Sequence, residues 1–209
     1  METKTKLLPI ATSLKITAFE FNVMALWLDE YSDGNSKTSL QYLQWLRSSK
    51  TSPNPGQLDA SRKFYLQDLA CQLKLFKAAI APIGWDILVE APSSKPHARQ
   101  FANAAREVRN TPDILFQKRG DASATKGISV GQLTESLTFD STLNLSTFDS
   151  VLIVDDVLAV GNTAASIIRK LQQAGLNPNA KITLAVALRV MPSPPKKKID
   201  WAEIKSLVG

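Results

Sequence analysis

The 209-residue sequence predicts an α/β fold, a mostly parallel central sheet flanked by helices, with an N-terminal helical extension. Three observations carry this expectation. From Trp85 onward short β-branched runs alternate with helical patterns, in the order WDILVEA, PHARQFANAAREVR, DILFQKR, SVLIVDD, TAASIIRKLQQAG and KITLAVAL. Such an order builds parallel sheets joined by crossover helices. The run Val151 to Val154 is apolar at every position, as a central strand covered on both faces requires. Before Trp85, Leu66, Leu69, Leu73, Phe76 and Ile80 recur at steps of three and four, which places them on one helix face.

Taken along the chain, Thr17 to Tyr31 and Thr38 to Arg47 are rich in Leu, Trp and Phe and read as helices separated by the loop signal SDGNS. Leu14 to Ile16, at the start of the first, fits a short strand equally well. The segment SSKTSPNPGQ marks an exposed connection, and the long helix pattern then runs between Gln57 and Ile80. Residues 1–80 are therefore read as a helical extension and 81–209 as the α/β domain. Polar groups begin where the Val151 to Val154 run ends. The next helix starts near Thr163, turns Ala165, Ile168 and Leu171 inward, and stops at Gly175 with Pro178 just beyond. Asp155 to Thr163 is thus expected to be a strand-to-helix loop. A last short helix is expected around Trp201 to Leu207.

Composition narrows the function classes. Hydrophobic residues at 44% and charged residues at 21% describe a globular chain and exclude bulk disorder. A net charge of +6 suits anionic partners, whether phosphorylated small molecules, nucleic acid or acidic membranes. One cysteine, Cys71, builds neither a disulfide framework nor a Cys-rich zinc site, which fits a reducing cytoplasm. The start METKTKLLPIATSLK lacks a signal-peptide apolar region, and no apolar run reaches the roughly 18 residues of a membrane span. A soluble, untargeted chain is expected. A single histidine, His97, leaves no material for a Ser-His-Asp or Cys-His set, so His97 reads as a surface residue and Cys71 as core packing. Trp27, Trp45 and Trp85 read as core. Trp201 either stacks on a base or rests on the body, and Lys196 to Lys198 read as solvated surface, so that nucleic acid is possible but not indicated.

The chemistry concentrates after Val154. In an open parallel sheet ligands collect at the carboxyl ends of strands, and a helix N-terminus there offers unpaired N–H groups and a positive dipole end to phosphate. Gly161 permits close backbone approach, Asn162 and Thr163 add donors, and Asp155 and Asp156 can accept hydrogen bonds from vicinal hydroxyls. Phosphate beside a diol describes a ribose 5-phosphate.

The segment SVLIVDDVLAVGNTAASIIRKL resembles the binding signature for phosphoribosyl pyrophosphate (PRPP) of type I phosphoribosyltransferases: a hydrophobic strand, two acids, two apolar residues, a small turn, Gly and Thr. The resemblance implies that Asp155 and Asp156 bind the ribose hydroxyls as the catalytic acids, with an indirect role toward magnesium. It puts the 5-phosphate on Ala159, Val160, Gly161, Asn162 and Thr163. Ile87 to Lys95 resembles the family's strand and pyrophosphate loop, which places Ser93, Ser94 and Lys95 on the pyrophosphate. Gln117 to Gly127 resembles the mobile loop that closes the site, with Lys118, Arg119 and Lys126 as its cations. The pieces are closest to the ComF-like and amidophosphoribosyltransferase branch over about residues 85–190. Two departures stand out: Val160 replaces the family's usual threonine, and the Cys-rich zinc module of many ComF-like proteins is missing. One lost hydrogen bond to a charged phosphate costs about 1.5 to 3 kcal/mol. The resemblance implies transfer of phosphoribosyl from PRPP, with magnesium, to a nitrogen nucleophile. Alternatives are a non-catalytic PRPP or nucleotide sensor, a ComF-like partner in DNA handling, or an assembly protein that forms homo-oligomers or binds a partner through its N-terminal helices.

Overall fold

The computed structural model describes residues 12–15, 22–31, 69–93, 97–119, 128–140 and 142–190. Their strands are β1 (Thr12–Lys15), β2 (Asn22–Tyr31), β3 (Ile87–Glu90), β4 (Asp113–Leu115), β5 (Gln117–Lys118), β6 (Leu137–Thr138), β7 (Ser150–Leu158) and β8 (Lys181–Val190). The helices are α1 (residues 69–80), α2 (His97–Val108), α3 (Val130–Ser136) and α4 (Asn162–Gln173). Six strands form one sheet in the order β1-β2-β8-β7-β3-β4, and β5 and β6 form a separate two-stranded sheet. Pairing from β2 across to β4 is parallel throughout, and only β1 runs antiparallel, at the edge beside β2.

Side chains alternate across the sheet and build a core on each face. Ile87 and Val89 of β3, Val151 and Ile153 of β7, and Ile182, Leu184 and Val186 of β8 pack with Ala165, Ile168 and Leu171 of α4. Leu88, Leu152, Val154, Ala185 and Ala187 pack on the other face with Phe76 and Ile80 of α1 and Phe101, Ala102 and Ala105 of α2. Phe76 meets Phe101 edge to face at 5.0 Å, which ties the two helices together. Each fully buried Leu, Ile or Phe contributes about 1.5 to 3 kcal/mol, so these two layers hold the central strands rigidly in place.

The predicted stop of the second crossover helix is realised. Gly175 takes a φ of 95°, its N–H donates to Gln172 at 3.0 Å, and the Leu176 N–H donates to Leu171 at 3.0 Å. This pair of bonds is a Schellman motif, with Leu176 and Leu171 meeting in the same core.

The N-terminal segment differs from its expectation. Residues 22–31, within the stretch read as a helix, form a ten-residue strand that pairs in parallel with β8 from Val23↔Ile182 to Tyr31↔Val190. Val23, Ala25 and Trp27 pack on the α4 side and Leu26 and Leu28 on the other, so the strand is apolar on both faces. Such a strand has no polar alternation to separate it from a buried helix. Of the two readings for Leu14 to Ile16, the strand holds for Leu14 and Lys15 in β1. Residues 12–15 and 22–31 thus belong to the sheet and not to a helical extension. The helix read over Thr38 to Arg47, the start of the long helix before residue 69, and the short helix around Trp201 lie outside the described residues. Cys71, read as core, is exposed on α1. Among the described residues, no helix is long and apolar enough to cross a membrane.

Candidate functional site

Strand β7 runs further than its apolar stretch. Register with β8 continues from Val154↔Ala185 through Asp155↔Val186 and Val157↔Leu188 to Leu158↔Arg189. Asp155 and Asp156 therefore stand inside a paired strand and not in a loop, as the sequence had suggested, because β8 extends to Val190 and supplies a ladder for them. The connection to α4 shrinks to Ala159, Val160 and Gly161. Backbone pairing holds the two acids in fixed positions, at no cost in loop entropy when a ligand arrives.

Both acids are half-buried, and the Asp156 N–H donates to Asp155 Oδ1 at 2.8 Å. Burial, and then the neighbouring Asp156 charge, push the Asp155 carboxyl well above the usual carboxylate range, while the amide hydrogen bond from Asp156 works the other way. Adjacent carboxylates held this way favour a ligand that brings hydroxyl donors or a cation.

Three residues later the chain enters α4. Gly161, its N-cap, is buried and adopts φ 83° and ψ 5°, the left-handed region, and no side chain caps the helix. The first intrahelical bond runs from the Ala165 N–H to the Gly161 carbonyl at 2.9 Å. The N–H groups of Asn162, Thr163 and Ala164 precede it in the first turn and have no intrahelical acceptor. Such free amides, with the positive end of the helix dipole, can receive an anion. Asn162 and Thr163 are half-buried beside it, Ala159 is exposed, and Val160 is 68% exposed at the tip of the turn.

Strand β3 lies next to β7, with Glu90 in register with Val154, so both strands end at the same edge of the sheet. Exposed Ser93 follows β3 there, while Ser94 and Lys95 lie outside the described residues. Lys118 and Arg119 are exposed at the end of β5, the Arg119 N–H donates to the Ser136 carbonyl at 2.9 Å, and Lys126 lies outside the described residues. The stem beyond is anchored to α4: buried Ser166 donates its hydroxyl to the Val130 carbonyl at 3.1 Å. Residues 155–163 thus gather at one corner, Ser93 leaves from the adjacent strand end, and Lys118 and Arg119 sit on a separate two-stranded sheet.

Sequence reasoning missed Glu90. Its carboxylate is buried at the end of β3 and accepts from Arg99 Nε at 3.0 Å and from Arg106 Nη2 at 3.0 Å. Arg106 also pairs with Asp113 at 2.6 Å, and although burial opposes its charge, Asp113 and Glu90 hold its pKa above the ordinary value. The arrangement locks α2 to the strand end from which the Pro92 and Ser93 loop departs. A signal did exist, in an acid closing an apolar strand followed by arginines seven residues apart on one helix face.

Among the described residues no group of three or more His, Cys, Asp or Glu side chains forms a metal site. The donor chemistry fits magnesium in another way, since that ion is commonly held by one or two carboxylates together with ligand phosphates. Asp155 and Asp156, next to the N-terminus of α4, are carboxylates of the kind that would hold it.

No protein-family model matches the sequence, and no curated protein matches it. Among solved structures the chain is similar to a purine phosphoribosyltransferase from Pyrococcus horikoshii Ot3, at 12% identity and a TM-score of 0.42, over 64% of this chain and 95% of that one. It is also similar to a hypoxanthine phosphoribosyltransferase from Staphylococcus aureus, at 16% identity and a TM-score of 0.38, over 63% of this chain and 66% of that one. A third is the xanthine-guanine-hypoxanthine phosphoribosyltransferase of Helicobacter pylori, at 16% identity and a TM-score of 0.36, over 68% of this chain and 96% of that one.

Proposed function

We infer that the chain binds PRPP at the β7–α4 corner and transfers its phosphoribosyl group to a nitrogen nucleophile. One observation carries this reading: a fixed pair of carboxylates at the end of a central parallel strand leads, through a three-residue turn, into a helix whose N-terminus no side chain caps. Hydroxyl acceptors and phosphate donors then stand side by side, which matches a ribose 5-phosphate. Asp155 and Asp156 accept from the ribose hydroxyls, and the amides from Gly161 to Ala164, with the Thr163 hydroxyl, hold the 5-phosphate. Ser93, Ser94 and Lys95 are assigned to binding the pyrophosphate, and Lys118, Arg119 and Lys126 to neutralising its charge. Magnesium, when bound, neutralises diphosphate charge. The bond from the anomeric carbon to the diphosphate oxygen breaks, with the electron pair leaving on pyrophosphate. Positioning and charge stabilisation supply the rate, and no separate base is required for this step.

Val160 favours a second reading, a PRPP or nucleotide sensor without turnover that serves a partner, DNA handling included. A valine at the exposed tip of the turn offers no hydroxyl to the phosphate, so that binding rests on amides and Thr163. Isothermal titration with PRPP, with and without magnesium, tests both readings. Micromolar, magnesium-dependent binding that is abolished in the double variant Asp155→Asn, Asp156→Asn supports the site, and pyrophosphate release with an acceptor separates enzyme from sensor. Unchanged affinity in the double variant sinks the assignment.

A further inference from the structure

We propose that Arg99 binds the diphosphate of the ligand and that buried Glu90 is the positioning residue that holds Arg99 at the strand ends. The inference rests on the reading of the β7–α4 corner as a phosphoribosyl site. Glu90 ends β3, and its backbone is fixed on both sides. It is in register with Val154 of β7, the Ala91 N–H donates to the Val154 carbonyl at 2.9 Å, and the Phe116 N–H donates to the Glu90 carbonyl at 3.2 Å. With strands about 4.8 Å apart and a rise of about 3.3 Å per residue, the Glu90 backbone lies roughly 6 Å from that of Asp155. The Glu90 side chain is 4% exposed, and its carboxylate accepts from Arg99 Nε and from Arg106 Nη2, each at 3.0 Å. Arg99 belongs to the first turn of α2, so the ion pair spans the base of the connection that carries Ser93.

The two arginines are used differently. Arg106 engages all three guanidinium nitrogens inside the cluster, with Asp113 through Nε, Asn103 through Nη1 and Glu90 through Nη2. Arg99 bonds Glu90 through Nε, and 60% of its side chain is exposed. Its two Nη groups carry further N–H donors in the flat fork that matches phosphate oxygens. Stability alone gives a poor account of the arrangement, because well-packed apolar side chains in place of a buried ion pair are often as stable or more so. Nor does α2 favour a cation at this position, since its first turn is the positive end of the helix dipole and contains no acid. What Glu90 secures is position. It sets a guanidinium at the end of β3, on the side of β7 where the Ser93 connection proposed for pyrophosphate begins. Ribose 5-phosphate is served by Asp155, Asp156 and the α4 turn without Arg99, whereas a diphosphate on the anomeric carbon calls for this cation.

Calorimetric titration of the full chain with two probes, ribose 5-phosphate and PRPP with magnesium, tests this. Arg99→Ala should weaken PRPP by about tenfold or more, as loss of a charged hydrogen bond to phosphate predicts, and leave ribose 5-phosphate affinity at the parental value. Arg99→Lys should recover part of the loss, since it returns the charge without the fork. Glu90→Gln keeps the shape and removes the charge that holds Arg99. It should weaken PRPP in the parent and have no further effect in the Arg99→Ala background, a non-additivity that an effect on stability alone does not produce. Arg99→Ala changes an exposed side chain, so it serves if Glu90→Gln does not fold. The inference is overturned if Arg99→Ala retains PRPP affinity or weakens both probes equally, or if Glu90→Gln has no effect in the parent or the same effect with and without Arg99. Ribose 5-phosphate binding in those cases leaves the phosphoribosyl reading standing. If the parent binds neither probe, both fall.

Discussion

Helix α4 carries a left-handed glycine at each end, and this permits a controlled comparison. Gly161, with φ 83°, opens the helix at the site, and Gly175, with φ 95°, closes it far from the site. Alanine in that region costs roughly 1 to 2 kcal/mol, because its Cβ crowds the following carbonyl. At Gly175 an added Cβ meets nothing within 4 Å, so the whole cost is conformational. For a chain of this size, 1 kcal/mol lowers Tm by about 2 to 4 °C, so Gly175→Ala should melt ~2 to 8 °C below the parent. Its PRPP affinity should not change. Gly161→Ala carries the same backbone penalty but also tilts the first-turn amides. Loss of one hydrogen bond to charged phosphate, about 1.5 to 3 kcal/mol, weakens PRPP by roughly 10- to 150-fold. Thermal unfolding and calorimetric titration of both variants decide the matter. Parental PRPP affinity in Gly161→Ala, or an equal loss in Gly175→Ala, refutes the phosphate role of this turn.

Other expectations follow from the ion pairs. Glu90→Ala leaves Arg99 and Arg106 without their shared carboxylate, yet Arg106 keeps Asp113 and Arg99 is 60% exposed. The loss should therefore be about 1 to 3 kcal/mol, short of the 3 to 5 of a fully buried pair, and urea unfolding with an unchanged midpoint would contradict it. Asp86 clips the start of β7: it accepts the Ser150 hydroxyl at 2.9 Å and the N–H groups of Asp149 at 3.0 Å and Ser150 at 2.9 Å. The Ser150 hydroxyl chiefly holds its carboxyl below the usual value, and the two amides and Arg109 add to this against a smaller opposing effect of burial. A lowered folded pKa stabilises the protein above the unfolded value of about 3.9, and that contribution disappears as pH falls through the folded value. Asp86→Ala should thus destabilise at neutral pH, with the gap to the parent closing below about pH 3.9; a gap that is constant with pH refutes the assignment.

Much of the candidate site was legible because its signals are local. The apolar run before Asp155, the Gly161 turn and the stop at Gly175 lie within one strand–turn–helix unit, and short-range sterics and hydrogen bonds decide such units. The two-sided core follows from the same uninterrupted apolar runs. What the sequence could not reveal are features made by partners distant along the chain. The segment 22–31 is a strand because β8, some 160 residues later, offers it a ladder, and a stretch apolar on both faces carries no period to announce that choice. Asp155 and Asp156 look like loop residues in isolation and are strand residues in the fold because β8 outruns the apolar part of β7. The Glu90 cluster and the contact of Arg189 with the Trp27 ring, 4.4 Å from guanidinium carbon to ring centroid, likewise arise only when separate elements meet. By itself, then, the sequence determined the fold class and the turn at Gly161 between β7 and α4, through local periodicity and backbone sterics. Only the tertiary structure decided which strands stand beside that turn and what they bring to it, because strand pairing depends on contacts between segments far apart in the chain.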